Sequence, residues 1–90
     1  MLKASENDKL RLLSNPVIDI LKFEVNDYDG EIVDVEIINV HQQILYNSKR
    51  KVQSVSQNEK IQVADLITGI YFLILSLNGK VLATKKFIKK

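Results

Sequence analysis

The alternation of apolar and polar side chains predicts β-strands along most of this chain. The clearest run is 32–40, in which Val33, Val35 and Ile37 share one parity and acidic residues lie between them. A period of two sends successive side chains to opposite faces of a sheet, so one set is buried and the other is solvated. The parity changes at Ile37-Ile38, which predicts a β-bulge at that point.

Turn-forming residues divide the rest of the chain into further short runs. The Asn-Pro pair at 15–16, the polar stretch 26–31 and the triplet 41–43 are the main turn signals. Strand-like composition recurs at 10–13, 17–25, 44–46, 60–63, 70–77 and 81–88. Residues 48–51 are predicted to be a solvated loop or edge. Val52 and Val55 mark a weak strand, and a turn is predicted at 57–59. No helical period persists anywhere, so the pattern predicts an all-β fold.

The spacing of these runs favours an antiparallel β-sandwich. Seven or eight short strands are separated by turn signals every eight to twelve residues, which is typical of immunoglobulin-like domains. The chain has neither cysteine nor tryptophan, so the core residues that mark true immunoglobulin domains are absent. We therefore predict only the architecture, an immunoglobulin-like antiparallel β-sandwich of about seven strands, with a small β-barrel as the alternative.

The last 23 residues contain the strongest local signal, a hairpin of two long strands. Residues 70–77 are almost continuously apolar, a composition that suits a strand covered on both faces. Asn78-Gly79 follows, and this pair favours a type I′ turn because both central residues must take a positive φ. The returning run 81–88 is apolar with interleaved lysines, and the chain ends on two more.

Length and composition are those of one folded domain. The chain has 90 residues, of which 46% are hydrophobic and 27% are charged. A chain of this size can bury a modest core without disulfides or metal ions. We expect residues 1–9 to be a polar linker or tail and residues 10–90 to form the domain.

Charge is distributed unevenly along the chain. Residues 1–40 carry four lysines or arginines and nine acids, whereas residues 41–90 carry nine basic residues and only two acids, and no acid follows Asp65. The functional interpretation is a basic terminal face that meets an acidic partner; the alternative is a solvated surface whose charges happen to segregate. Nucleic acid is not expected as a partner, because no nucleic-acid-binding motif is present and the six aromatic residues do not alternate with the lysines.

Residues for catalysis or metal binding are sparse. His41 is the only histidine and has no orienting acid beside it, so we interpret it as a turn residue. Asp27, Asp29 and Glu31 superficially resemble a calcium loop, but no glutamate stands at the twelfth position. We predict no enzyme activity and no cofactor. We also predict no membrane span, since no apolar run approaches the roughly 20 residues required, and residues 1–9 lack the apolar region of a signal peptide.

The sequence Leu66-x-x-Gly69-x-Tyr71 indicates a structural corner. In β-sandwiches a tyrosine just inside a late strand can donate a hydrogen bond back to the preceding corner. In this interpretation Gly69 supplies a backbone conformation closed to other residues, and Leu66 fills the end of the core.

Four motifs in order give the chain a family resemblance. They are Asn15-Pro16-Val17 at the opening of a strand, Val35-Glu36-Ile37-Ile38-Asn39 in the middle, Asp65-Leu66-x-x-Gly69-Ile70-Tyr71-Phe72 late, and Lys85-Lys86-Phe87-Ile88-Lys89-Lys90 at the end. Together they span almost the whole chain from Leu10. This combination resembles the C-terminal sorting domain of the type IX (Por) secretion system of Bacteroidetes.

The resemblance implies a β-sandwich appended to large secreted proteins. Such a cargo crosses the inner membrane with a separate N-terminal signal, and its sorting domain is recognised in the periplasm and at the outer membrane by shuttle and translocon components. A sortase-like peptidase removes the domain in many members, and the cargo is then secreted or held at the cell surface. The family's framework positions correspond to Asn15, Pro16, Gly69 and Tyr71. Its terminal recognition segment corresponds to Lys85, Lys86, Phe87, Ile88, Lys89 and Lys90.

Two positions depart from the family pattern. An aromatic residue and a proline usually precede Asn-Pro, where this chain has Leu13-Ser14, and a Gly-Gln turn usually follows the middle strand, where this chain has Gln42-Gln43. The second difference raises the question of whether this turn keeps a tight geometry.

Three other expectations complete the sequence interpretation. The runner-up function is a generic fibronectin- or immunoglobulin-like spacer or adhesion module of a secreted enzyme, and a small cytoplasmic nucleic-acid-binding protein is a third. A spacer tolerates sequence after its last strand, whereas a sorting domain should end the natural polypeptide at or near Lys90. Met1 stands directly before a polar linker, so we expect the chain to be a domain excised from a longer protein. The opposite charges of the two halves also suggest weak head-to-tail self-association.

Overall fold

The computed structural model describes residues 9–26, 28, 30–52 and 59–90. These residues form seven β-strands and no α-helix, as the alternation predicts. The strands are β1 (Leu10–Leu12), β2 (Ile20–Val25), β3 (Ile32–Asn39), β4 (Ile44–Lys51), β5 (Glu59–Gln62), β6 (Gly69–Leu77) and β7 (Lys80–Lys89).

Two antiparallel sheets make up the sandwich. The three-stranded sheet has the order β1-β2-β5, and the four-stranded sheet has the order β4-β3-β6-β7. This is the immunoglobulin-like arrangement, with the fourth strand paired to the larger sheet. The predicted fold class is therefore confirmed.

The core lies between the sheets and follows the predicted alternation. Leu21 and Phe23 of β2 face Val33, Val35 and Ile37 of β3 across the interior, and all five are at most 1% exposed. Burying a side chain of this size stabilises the fold by about 1.5–3 kcal/mol. The remaining buried apolar residues are Leu10, Val17, Val52, Ile61, Val63, Tyr71, Leu73, Leu75, Leu82, Ala83 and Phe87.

The hairpin between β6 and β7 has the predicted turn. Asn78 and Gly79 take φ values of +52° and +83°, the paired positive values of a type I′ turn. The expectation that β6 is covered on both faces is wrong, however. Ile70 is 43% exposed and Ile74 is half-buried, because the second sheet packs on only one face of this strand and the other face lies outside the sandwich.

The bulge and the following turn lie at the end of β3. The pairing of β3 with β4 shifts between Ile37 and Ile38, as the change of parity predicts. The turn stays tight without glycine: Gln42 has a φ of +65°, and its N–H donates to the carbonyl of Asn39 at 3.0 Å. The Asn39 side chain supports this geometry, since its Oδ1 accepts from the N–H groups of His41 and Gln43 at 2.9 and 3.0 Å.

Several strand boundaries differ from the sequence expectation. β2 begins at Ile20 rather than at Val17, because Val17 pairs with β7 instead. Of the two alternatives for residues 48–51, a loop or an edge, the structure confirms the edge, since the edge strand β4 continues to Lys51. Val55 and most of the turn expected at 57–59 lie outside the described residues, and Glu59 already belongs to β5.

A cluster around Arg50 joins β4 to β5, which belong to different sheets. Its guanidinium donates to Glu59 Oε1 at 2.7 Å and to Tyr46 Oη at 2.7 Å, and its Nε donates to Ser48 Oγ at 3.0 Å. Burial alone raises the pKa of Tyr46, but the hydrogen bonds with Ser48 and Arg50 and the positive charge of Arg50 outweigh it, so the pKa is lower than usual. The cluster therefore links the two sheets at the edges formed by β4 and β5.

Candidate recognition site at the end of the terminal strand

The second half of β7 is paired with the start of β6. In this register Phe87 lies opposite Tyr71, and Lys89 lies opposite Gly69. Phe87 is fully buried, and its ring stacks on that of Tyr71 with the centroids 5.7 Å apart. The framework and terminal residues predicted from the sequence therefore meet at the same place.

Tyr71 forms the predicted corner. Its hydroxyl donates to the carbonyl oxygen of Ile67 at 2.6 Å, and Leu66 packs against the core as expected. The expected role of Gly69 is wrong, because its φ is not in the positive range and a Cβ would only touch the Tyr71 ring at an ordinary 4.0 Å. The backbone conformation at position 69 therefore does not require glycine.

The other edge of the terminal strand is covered by residues 15–17, here called the 15–17 strap. The N–H of Val17 donates to the carbonyl of Ile88 at 2.7 Å, and the N–H of Lys90 donates to the carbonyl of Val17 at 2.8 Å. This is a parallel bridge between the two segments, and the Asn15-Pro16 peptide bond before it is cis. Residues 86–90 are thus held between β6 and the strap.

Asn15 extends the strap with its side chain. Its Oδ1 accepts from the N–H of Ile88 at 3.0 Å, and its Nδ2 lies 3.4 Å from the carbonyl oxygen of Lys86, to which it donates. The amide group therefore acts as one more peptide unit beside β7. Asparagine suits this position because it carries both a donor and an acceptor.

The terminal lysines do not form one surface. Lys86 and Lys90 are exposed and Lys85 is half-buried, whereas Lys89 is only 6% exposed and donates from Nζ to its neighbour's carbonyl oxygen at 2.8 Å. The difference follows from strand parity, since Lys89 lies on the same side of β7 as buried Phe87. The exposed part of the terminal segment is therefore Lys86, Ile88 and Lys90, with Lys85 at its margin.

The exposed terminal lysines lack acidic partners within the described part of the chain. The ion pairs there join Arg11 to Glu24, Lys49 to Asp34 and Arg50 to Glu59, and none of them includes a residue of β7. The net positive charge of the terminal segment is accordingly open to a partner.

One residue of this site escaped the sequence interpretation. Val17 contributes both backbone hydrogen bonds of the strap, yet its apolar character and parity assigned it to β2. The signal that could have found it is the Asn-Pro pair directly before it, which separates it from the strand that follows.

The other candidate chemistry is not assembled. His41 is an exposed turn residue, and Asp27 and Asp29 of the calcium-like run lie outside the described residues. Among the residues that the structure describes, no group of three or more histidines or acids could hold a metal ion. No helix in the same ranges is long and apolar enough to cross a membrane.

Comparison with known families decides the identity of the domain. The family model of the secretion system C-terminal sorting domain matches residues 14–90. The chain belongs to this family. No curated protein and no solved structure matches it.

Membership has direct consequences for function. The family is a sorting signal of the type IX secretion system, so a protein carrying this domain is destined for secretion or the cell surface and interacts with the secretion machinery. It is a family of signal domains rather than of enzymes. The match includes both the 15–17 strap and the terminal strand, the two segments joined at the site described above.

Proposed function

We propose that residues 10–90 direct a fused cargo protein across the outer membrane through the type IX secretion system, with residues 1–9 as the connecting linker. Residues 1–8 lie outside the described part of the chain. The signal read by the machinery comprises the exposed side chains at the end of β7, chiefly those of Lys86, Ile88 and Lys90.

One observation carries this proposal. The terminal strand is fixed at both edges, by β6 and by the 15–17 strap, while its outward side chains stay in solvent without an acidic partner among the described residues. A recognition element benefits from such pre-organisation, since less conformational freedom is lost on binding. In this view the framework residues Asn15, Pro16, Gly69 and Tyr71 position the signal and do not contact the partner.

Family membership supports a proposal for the steps around recognition. The cargo passes through the periplasm, where shuttle components of the system bind the folded domain and deliver it to the outer-membrane translocon. A sortase-like peptidase then cuts the connection to the cargo. The linker before Leu10 is the natural place for that cut, because it precedes the first strand and the ends of folded domains are common sites of proteolysis.

A transport assay tests the proposal. Residues 1–90 are fused behind a fluorescent reporter with an inner-membrane export signal and expressed in a type IX-competent strain. A second fusion lacks residues 87–90. We expect the intact fusion in the medium or at the cell surface. The amount of the truncated fusion in the periplasm should be at least tenfold greater than that of the intact fusion.

Other outcomes have defined meanings. Secretion of both fusions would move the signal into the body of the sandwich. Retention of both, with the domain folded and the strain secreting its own cargo, would contradict the proposed function and favour the spacer module.

A further inference from the structure

Exposed apolar side chains are concentrated at one end of the sandwich. Nine large apolar residues of the described part are exposed. Two of them, Ile32 and Val81, lie near the start of β3 and the start of β7. The other seven lie where β3 ends, β6 begins and β7 ends: Ile18, Val40, Ile44, Leu45, Ile67, Ile70 and Ile88.

This end, here called the distal end, is remote from the point where the chain enters the domain. The ammonium group of Lys9 lies over the ring of Tyr28 at 5.4 Å, and the carbonyl of Lys9 accepts from Asn26 at 2.8 Å. These residues precede β3, whereas the distal end follows it. β3 has eight residues, which at about 3.3 Å per residue separate the two ends by roughly 26 Å.

The distal end contains a groove as well as exposed side chains. The groove has a volume of about 590 Å³ and lies between the β3–β4 turn and the loop that leads into β6. Its apolar walls include Val40, Leu45, Ile67 and Ile70. Cavities of a few hundred Å³ are the size that accepts a compact apolar group from a ligand or partner.

The apolar surface continues from the groove onto the outer face of the larger sheet. Ile70 lines the groove and pairs across the strands with Ile88, which is 44% exposed. Phe72 lies beside them on the same face and pairs with Lys86. An extended exposed patch of this kind on a soluble domain marks an interaction site.

The charges at this end favour one type of occupant. Lys86 and Lys90 stand on the β7 side without an acidic partner in the described ranges. A second copy docked by the same patch would bring these lysines close to their equivalents, which is unfavourable. A flat anionic lipid surface could not fill the groove, and it would repel Asp65 in the groove wall.

We propose that the distal end is a docking surface for a protein of the secretion machinery, one that inserts apolar side chains into the groove and places acidic side chains beside Lys86 and Lys90. This inference rests on the proposed function and extends the contact region beyond the terminal segment to the groove residues Val40, Leu45, Ile67 and Ile70. The cargo, attached at the opposite end, leaves this surface free.

The test compares matched apolar-to-polar variants of the reporter fusion. The distal variant carries Ile67→Asn and Ile70→Thr, and the control carries Ile32→Asn and Val81→Thr at the opposite end, also at exposed positions. Ile67→Asn alone is a further variant, since this side chain is 80% exposed and its removal costs no core packing. Thermal unfolding of the purified domains verifies that each is folded.

We expect the distal variant to be secreted at least tenfold less than the intact fusion, Ile67→Asn to show a smaller loss, and the control to be secreted normally. Normal secretion of the distal variant would overturn the inference and leave the proposed function standing. Failure of the intact fusion to be secreted would refute the proposed function, and the inference with it.

Two binding measurements test the other occupants. Purified intact domain is sedimented with vesicles containing phosphatidylglycerol, and its mass in solution is measured by light scattering. We expect no vesicle binding and no dimer that depends on the distal residues. Vesicle binding, or a dimer, that is lost in the distal variant would overturn the choice of a machinery protein as occupant.

Discussion

At the scale of single residues, the turn after β3 shows how one side chain substitutes for a glycine. Gln42 has a positive φ, a conformation that costs a residue with a side chain about 1–2 kcal/mol. Asn39 offsets this cost with two accepted hydrogen bonds, and its Nδ2 also donates to Gln43 Oε1 at 2.7 Å. The tight geometry questioned by the sequence comparison is therefore present.

The first prediction concerns this turn. Gln42→Gly should raise the free energy of unfolding by roughly 0.5–1 kcal/mol, because glycine adopts a positive φ without strain and loses part of that gain to backbone entropy. Urea unfolding at constant temperature measures the change. The matched control, Gln43→Gly, should be destabilising. A Gln42→Gly variant less stable than the original would contradict this account of the turn.

Residue identity alone did not reveal which terminal lysines are accessible. All four looked equivalent in the sequence, since each is a lysine within the last six residues. Parity separates them: Lys89 follows buried Phe87 by two positions and shares its face, whereas Lys86 and Ile88 lie on the other. The sequence contained this information, but only once the strand was known to be continuous to Lys89.

At the scale of elements, the terminal strand depends on a segment about 70 residues earlier. The 15–17 strap supplies the hydrogen bonds on one edge of residues 86–90, and β6 supplies them on the other. A terminal strand paired on one edge alone would fray more easily. The strap thus keeps the recognition segment in one conformation.

The second prediction tests the strap through amide exchange. Asn15→Ala removes the acceptor of the Ile88 N–H and the donor to the Lys86 carbonyl, at a cost of about 1–2 kcal/mol. Exchange at Ile88 should become roughly tenfold faster in NMR hydrogen-exchange measurements, while amides in the centre of β3 change less. Asn47→Ala, which removes only an exposed contact with Glu36, should leave Ile88 unaffected. Equal exchange at Ile88 in both variants would contradict the role given to Asn15.

The third prediction concerns the Arg50 cluster and pH. The pKa of Tyr46 is lower in the folded state than in the unfolded chain, where it is about 10. Between these two values the unfolded chain binds more protons than the folded one, so this residue makes the domain more stable as the pH rises through the window. At a pH below both values, where tyrosine is protonated in both states, the effect is absent.

Urea unfolding from pH 7 to 10 measures this contribution, with Tyr46→Phe as the reference. The stability of the original protein relative to Tyr46→Phe should increase as the pH approaches 10. The comparison removes the titration of the lysines, which is common to both proteins. A difference in the free energy of unfolding between the two proteins that stays constant from pH 7 to 10 would contradict the lowered pKa of Tyr46.

The elements themselves were largely predictable, but their partners were not. Strict alternation in residues 33–37 and the Asn-Gly turn gave β3 and the β6–β7 hairpin, because both signals are local. The bridge between Val17 and Lys89 joins residues far apart in the sequence, and nothing local encodes it. For the same reason, the apolar composition of β6 did not show that its second face lacks a covering layer.

At the scale of the whole molecule, the separation of charge along the chain is partly neutralised by folding. Asp34 on β3 pairs with Lys49 on β4 at 2.8 Å, which joins the acidic half to the basic half. The lysines at the end of β7 stay unpaired within the described ranges. A net positive charge therefore remains at the terminal segment.

The fourth prediction is weak head-to-tail self-association through these charges. Size-exclusion chromatography should show a larger apparent size of the domain at low salt than at high salt, because screening weakens contacts between exposed charges. A monomer that elutes at the same volume in both buffers would remove this hypothesis.

The family of the domain was predictable because its motifs are spread over almost the whole chain. Each motif is short, but their order placed the family before the fold was known, and the family model over residues 14–90 confirmed it. The motifs alone did not show which of them are in contact in the folded domain. Contact between Asn15 and Ile88 explains why an early motif and a terminal one belong to the same signal domain.

The central claim is that the machinery reads the exposed side chains at the end of β7. It is tested most directly by secretion of three variants of the reporter fusion. One carries Lys86→Glu and Lys90→Glu at the terminal segment. A second carries Lys51→Glu and Lys80→Glu, the same change of charge at exposed positions near the opposite end. A third carries Lys89→Met, which removes a buried ammonium group.

We predict that the first variant is secreted at least tenfold less than the intact fusion, while the other two are secreted normally and all three remain folded. The physical reason is that only the first reverses the unpaired charge that an acidic partner would meet. Normal secretion of the Lys86→Glu, Lys90→Glu variant, or equal losses in the first two variants, would contradict the claim.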